Sequence, residues 1–258
     1  MPNLLDAWKE LRTDQQPFVL PGDELVLSDP NLSSRFEGWG AFTADPDFGK
    51  PGDNRLHLDL LPIPFVGNLK SASIFLLMLN PGLSAQDYYG EYEVPAYKTA
   101  LLNNLKQTEE ADFVFLDPRF AWHGGFNYWH TKLRHVIDDL SSKLSITYGQ
   151  ARSILQSRLA AIELVPYHSA SFAVPSQKFE QLRSVKLAHA FVQNLLPRAR
   201  EGECLIIATR AVKHWNLPEQ NNVVNYSPNE ARSAHLSPHS RGGSAIIEFI
   251  QRSYEREG

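Results

Sequence analysis

Four short segments of this 258-residue chain place chemically capable side chains at the ends of apolar runs. The first is LNPGLSAQDYYGE (79–91), in which the Asn80 carboxamide can orient a water molecule but is too weak a base to deprotonate it. Pro81 and Gly82 complete its turn, and Tyr88 and Tyr89 follow with aromatic faces on which a flat ring can stack. The second, IELVPYHS (162–169), carries Glu163 and His168; the carboxyl group can accept or donate a hydrogen bond according to its protonation. The third, ATRAVKHW (208–215), holds Arg210 and Lys213, cations that could bind phosphate. The fourth, SAHLSPHSRGG (233–243), holds His235, whose neutral imidazole N–H can stabilise a developing oxyanion. Ser237, Pro238, His239, Ser240, Arg241 and Gly242 extend it as a polar loop opening a helix, where backbone N–H groups could grip a phosphate. Each has a plain structural role as well. Asn before Pro-Gly forms turns, His235 can be a surface histidine, the tyrosines can be core aromatics, and solvated charge accounts for Arg210 and Lys213.

Strands must position these segments. Ser73–Leu79 is a continuous apolar run, as expected of a strand buried on both faces. Ala161–Val165, Cys204–Ala208 and Val223–Tyr226 are expected as further strands. Helices are expected over 4–13, 126–142, from a Thr147–Gln150 capping box to about Ala160, over 176–200, 211–216 and 243–256. Strands alternating with helices imply an α/β fold, here a three-layer α/β/α arrangement with a central four-stranded, mostly parallel sheet. In such sheets ligands bind beyond the carboxyl ends of the strands, where the four segments fall. Residues 1–60 are expected as an N-terminal extension packed on a domain spanning 61–258. Its Pro- and Gly-rich stretches carry apolar anchors at Phe18, Leu20, Trp39, Phe42 and Leu60.

Composition narrows the classes. Hydrophobic content of 43% and charged content of 21% are those of an ordinary soluble globular chain. No apolar run approaches a membrane span, and MPNLLDAWKELR lacks the pattern of a secretory signal. Cys204 is the single cysteine, which excludes an internal disulfide framework and four-cysteine metal sites, so a reducing, cytoplasmic location is expected. His123, His130 and His135 lack the Cys or carboxylate partners of a usual metal site, and no metal or cofactor is expected. Trp122, Phe126, Tyr128 and Trp129 are expected as core packing against a helix. The net charge of −4 hides an asymmetry: residues 1–118 carry 8 Lys and Arg against 18 Asp and Glu, and residues 119–258 carry 17 against 11. The C-terminal part is therefore the better candidate for holding a phosphate backbone. GxSxG, Walker and GxGxxG motifs are all lacking, which disfavours nucleophile-elbow hydrolase, P-loop and Rossmann dehydrogenase readings.

An apolar strand running into NPG at Asn80–Gly82, a strand stopped by Pro166, and a late His-x-Ser-Pro at His235–Pro238 together resemble the signature motifs of the uracil-DNA glycosylase superfamily. The pattern is most similar to the single-strand-selective and mismatch-specific branches, which have Asn in the first motif where the founding branch has Asp. The resemblance covers roughly residues 60–255. It implies a monofunctional glycosylase that flips a base out of DNA and hydrolyses its N-glycosidic bond, leaving an abasic site. Asn80 would hold the attacking water, His235 would donate to the base O2, Tyr89 or its neighbour Tyr88 would stack on the base, and Ser237–Gly242 would supply the wedge, with His239 at its tip. DNA is the implied partner of a monomer.

One position departs from the family. Where its uracil-reading Asn would fall, this chain has Glu163. An ionised carboxylate cannot donate to uracil O4 and repels a departing uracil anion, whereas it accepts from a cytosine N4 amino group. A protonated Glu163 could also donate to cytosine N3. The expected substrate is therefore a cytosine-type base, and a modified one, since excising ordinary cytosine would damage the host genome. Superfamily members recruited to phage defence against hypermodified cytosines, such as glucosylated hydroxymethylcytosine, fit this expectation. Uracil or mismatch repair is the alternative, as is a catalytically silent binder of DNA or a modified nucleotide on the same fold. Glu163 pointing elsewhere, or an alignment displaced by a residue, would remove the cytosine expectation.

Overall fold

A computed structural model describes residues 3–50, 52–108 and 111–257. It resolves into two compact units, each discontinuous in sequence. The first comprises Met1–Phe65, Leu79–Glu110 and Glu163–Gln193; the second comprises Val66–Met78, Ala111–Ile162 and Asn194–Gly258. The division does not fall at residue 60. The first sixty residues share a unit with the NPG turn and with Glu163.

In the first unit, two short parallel strands, β1 (Ser33–Ser34) and β2 (Leu56–His57), pair Ser33 with Leu56 and Ser34 with His57. Their neighbours are helices, of which Ala85–Glu93 and Pro95–Lys106 follow the NPG turn directly. Ser84 and Asp87 cap the first reciprocally, and Pro95 opens the second at a position where its missing N–H costs nothing. Trp8, Leu20, Leu27, Leu56, Leu58, Tyr88, Tyr97 and Tyr167 are fully buried and form this unit's core.

The second unit holds most of the sheet, with strands β3 (Phe65–Val66), β4 (Ile74–Leu77), β5 (Leu159–Ile162), β6 (Leu205–Ala208) and β7 (Val223–Asn225) in the order β3-β5-β4-β6-β7. β4 runs parallel to both β5 and β6, pairing Ile74 with Leu159 and with Leu205, and β6 runs parallel to β7. The molecule is thus mixed α/β with a mostly parallel sheet. The sheet has five strands and not four, because Phe65–Val66 adds a two-residue edge strand too short to show periodicity. Gly67, at φ +95°, ends that strand where an added Cβ would lie 2.3 Å from the Leu159 carbonyl oxygen, so only glycine fits.

The long helix Gly124–Leu144 buries Trp129, Leu133, Val136, Ile137 and Leu140, one stripe at helical spacing, and packs on helices Tyr148–Arg158 and Arg241–Glu257. The expected Thr147–Gln150 capping box opens Tyr148–Arg158, with the Thr147 N–H donating to Gln150 Oε1 at 2.8 Å. The region 176–200 forms two helices, Ser176–Phe179 and Arg183–Arg200. No helix among the described residues is long and apolar enough to cross a membrane.

Candidate active site

The chain leaves β4 into the NPG turn and leaves β5 into Glu163. Within the first unit these two segments are tied by backbone hydrogen bonds, from the Val165 N–H to the Leu79 carbonyl at 2.8 Å and from the Ser169 N–H to the Pro81 carbonyl at 3.3 Å. The Asn80 side chain is held between them. Its Nδ2 donates to the Pro81 carbonyl at 2.8 Å, to Ser169 Oγ at 2.9 Å and, more weakly, to the Tyr167 carbonyl at 3.4 Å. Two carbonyl oxygens on one side of the amide decide which end is nitrogen. That leaves Oδ1, to which no described residue donates, as the free acceptor of a half-buried side chain.

Glu163 is 7% exposed, and its Oε2 is buried without a hydrogen-bond partner. Its own N–H is spent on the Pro64 carbonyl at 3.0 Å. Burial pushes the carboxyl up to about 8, so the group is mainly a neutral acid at pH 7. The strand expected over Ala161–Val165 instead runs from Leu159 to Ile162, and Glu163 belongs to the turn beyond it.

Other expected residues take different places. Tyr88 is fully buried, stacked on Phe42 with ring centroids 4.0 Å apart, and its hydroxyl meets His57 Nδ1 at 3.0 Å. It has no exposed face to offer a base. Tyr89, one helical position on, is 43% exposed and meets Trp39 edge-on at 5.6 Å. His168 is buried and presents both ring nitrogens to main-chain carbonyls, Nδ1 to Gly82 at 2.8 Å and Nε2 to Leu61 at 3.2 Å. It braces the turn from behind and has no nitrogen left for a base. Pro81 is buried and Gly82 exposed.

The second unit carries the His235 loop. His235 is exposed, its carbonyl accepts the Tyr226 hydroxyl, and Leu236 beside it is buried. Ser240 N–H and Oγ both donate to the Ser237 carbonyl, at 2.9 and 2.8 Å, and Gly243 N–H donates to Ser240 Oγ at 3.1 Å. The helix start at Arg241 is therefore capped internally. Gly242 and Gly243 serve close packing, since a Cβ on Gly243 would fall 1.9 Å from the Ser237 carbonyl oxygen and one on Gly242 would fall 2.4 Å from the Tyr226 hydroxyl. Arg241 reaches the Asn225 carbonyl at 2.9 Å and Glu230 at 3.4 Å, while Pro238 is half-buried and His239 exposed. Arg210 also has a structural role, donating to the Ala231 and Arg232 carbonyls at 2.8 and 3.0 Å; Lys213 remains exposed.

His123 Nδ1 accepts the Gly125 N–H at the start of the long helix, His130 meets the Tyr148 hydroxyl at 3.2 Å, and His135 is exposed. Trp129 is core, edge-on to Phe113 at 5.1 Å, whereas Tyr128 is 38% exposed. Several residues that sequence reading passed over shape the first unit. Ser169 fixes Asn80, and the Tyr167 hydroxyl donates to buried Asp23 at 2.7 Å. The buried Glu91 carboxyl group accepts the Leu61 N–H with both oxygens, at 3.1 and 2.9 Å.

Comparison with protein-family models, with curated proteins and with solved structures found no match.

Proposed function

We propose that this chain is a monofunctional DNA glycosylase of the uracil-DNA glycosylase type, on that superfamily's three-layer fold, which releases a modified cytosine from DNA and leaves an abasic site. The observation that carries the reading is the Asn80 amide, turned by two carbonyls and the Ser169 hydroxyl so that Oδ1 is its free acceptor, on a segment bonded to that of a buried, neutral Glu163. Oδ1 accepts one O–H of a water and aims its lone pair at the sugar C1′. As the glycosidic bond breaks, its electron pair passes to the base. The protonated Glu163 donates to cytosine N3, so the base departs neutral, and the water oxygen bonds to C1′ and releases its proton to solvent. Tyr89 contributes a stacking face worth about 1–3 kcal/mol, and the family resemblance alone assigns His235 an N–H for the base O2. Clearance of phage DNA is the setting that follows if the base is a phage modification.

A second reading, a silent binder of DNA or of a modified nucleotide, draws on the acidic composition of residues 1–118. The experiment that separates the two presents oligonucleotides holding uracil, cytosine, 5-hydroxymethylcytosine or its glucosylated form, and scores alkali-labile sites. The glycosylase reading expects cleavage of a modified-cytosine strand, lost in Asn80→Ala and strongly reduced in His235→Ala. Binding without any alkali-labile product, unchanged in Asn80→Ala, establishes the binder instead. Uracil release that survives Glu163→Gln sinks the cytosine assignment.

A further inference from the structure

The short helix Pro228–Ser233 and the residue after it lead directly into His235, and the last carbonyls of a helix have no partner within it. A glycine in the left-handed region usually completes such an end and makes further partners unnecessary. Here the left-handed position is Ala234, at φ +46°, a conformation that costs an L-residue about 1–2 kcal/mol. Four successive carbonyls around it are taken by two cations. Arg210 donates to Ala231 and Arg232, and Lys132 Nζ donates to Ser233 at 2.9 Å and to Ala234 at 2.8 Å.

Lys132 comes from the long helix Gly124–Leu144, with Tyr128 one turn earlier placing its ring 4.9 Å from the ammonium. It is an uneconomical way to finish a helix. Burial, and the charge of Arg210 beside it, push the ammonium down to about 8, so the fold opposes the very charge that makes the clamp strong. A glycine at 234 would close the same helix without ordering a long cationic side chain. What the clamp adds is a fixed exit direction. With Ala234 held by Lys132, the His235 carbonyl held by Tyr226 and Leu236 buried, three consecutive residues are anchored and only the His235 side chain is left exposed.

We infer that Lys132 is the positioning residue of the His235 loop, acting through the Ser233 and Ala234 carbonyls to hold His235 in its working orientation. The inference rests on the role given to His235 above. It predicts an effect on turnover that exceeds the effect on substrate binding, because a donor that strengthens in the transition state loses most when misaligned.

The test compares the wild-type chain with Lys132→Gln and Lys132→Arg by hydrogen exchange over residues 231–240. It also compares kcat and KM for base release from a single-stranded oligonucleotide holding one 5-hydroxymethylcytosine. Lys132→Gln is expected to speed exchange in that segment at least fivefold and to lower kcat at least tenfold, with KM within twofold of wild type. Lys132→Arg, which keeps the charge and the donors, is expected to restore protection and most of kcat. Unchanged exchange in Lys132→Gln, or a fall in activity that merely tracks its loss of folded protein, overturns the proposal. If Lys132→Gln does not fold, Lys132→Arg decides alone: rescue of both readouts supports the clamp, and wild-type folding with loosened exchange refutes it. A wild-type chain that releases no base from any modified strand defeats the glycosylase reading, while the exchange data still decide whether Lys132 holds the loop.

Discussion

Replacing Glu163 with Gln turns the neutrality of this buried acid into a measurable quantity. The folded chain holds the proton up to about pH 8, whereas an unfolded Glu releases it near its ordinary 4.5. Between those values the folded state binds a proton that the unfolded state lacks. The contribution to stability is therefore fully present below pH 4.5 and is lost as pH rises through 8. Linkage gives a slope of about 1.4 kcal/mol per pH unit, and across the whole window about 5 kcal/mol as an upper limit. Gln has similar shape and no ionisation, so Glu163→Gln removes this slope and leaves every other titration in place. His57 moves the other way. Burial holds it down to about 4, and it weakens the fold as pH falls from 6.5 towards that value. Asp59, raised to about 6, adds a slope of the Glu163 kind at lower pH. Both cancel in the difference between wild type and variant. The assay is urea unfolding of the two proteins at whole pH units from 5 to 9. The variant is expected to gain on wild type at each step from 5 to 8 and to level off above. A difference that stays constant within about 0.5 kcal/mol over that range refutes the buried, proton-retaining Glu163, and with it the proton donor in the proposed mechanism.

Two further outcomes follow from the same geometry. Ser169→Ala removes one of the acceptors that orient the Asn80 amide, so base release is expected to slow about tenfold, a loss of roughly 1.4 kcal/mol, while the melting temperature moves by only a few degrees. Gly243→Ala forces a Cβ against the Ser237 carbonyl oxygen, and chemical unfolding is expected to show a loss of at least about 2 kcal/mol as the turn before the last helix is displaced. A Gly243→Ala chain as stable as wild type would mean that the His235 loop is far more compliant than its packing indicates.

What sequence could reveal here was set by range. β4 and β6 are legible because a strand buried on both faces must be apolar throughout, and IFLL and LIIA are. The end of β5 was misplaced because Leu164 and Val165 are as buried as the strand itself, and apolarity alone does not distinguish a buried turn from a strand. Helices Ala85–Glu93 and Pro95–Lys106 escaped because the first buries Asp87 and Glu91 and the second buries Asn104, polar side chains that break the apolar stripe. Asn80 stood out through its position before Pro-Gly at a strand end. The choice between Tyr88 and Tyr89 could not be made, since adjacent helical residues differ by about 100° and the direction of the core is a tertiary fact. Longer-range pairings leave no local trace. Lys132 with Ala234, and Tyr167 with Asp23, join residues more than a hundred positions apart, and each looks in sequence like an ordinary surface or core residue.

The interleaving of the two units has a consequence for synthesis. A ribosome releases the chain from its N-terminus, yet the Tyr167 hydroxyl that secures Asp23 and Leu20 lies near the far end of the first unit. Leu20 and Asp23 therefore emerge well before the residue that holds them, and their hydrogen bonds to Tyr167 must wait through more than half of translation. No single cut in the gene separates the two units, and a fragment that keeps the NPG turn but ends before Tyr167 leaves the buried Asp23 and Leu20 without that partner.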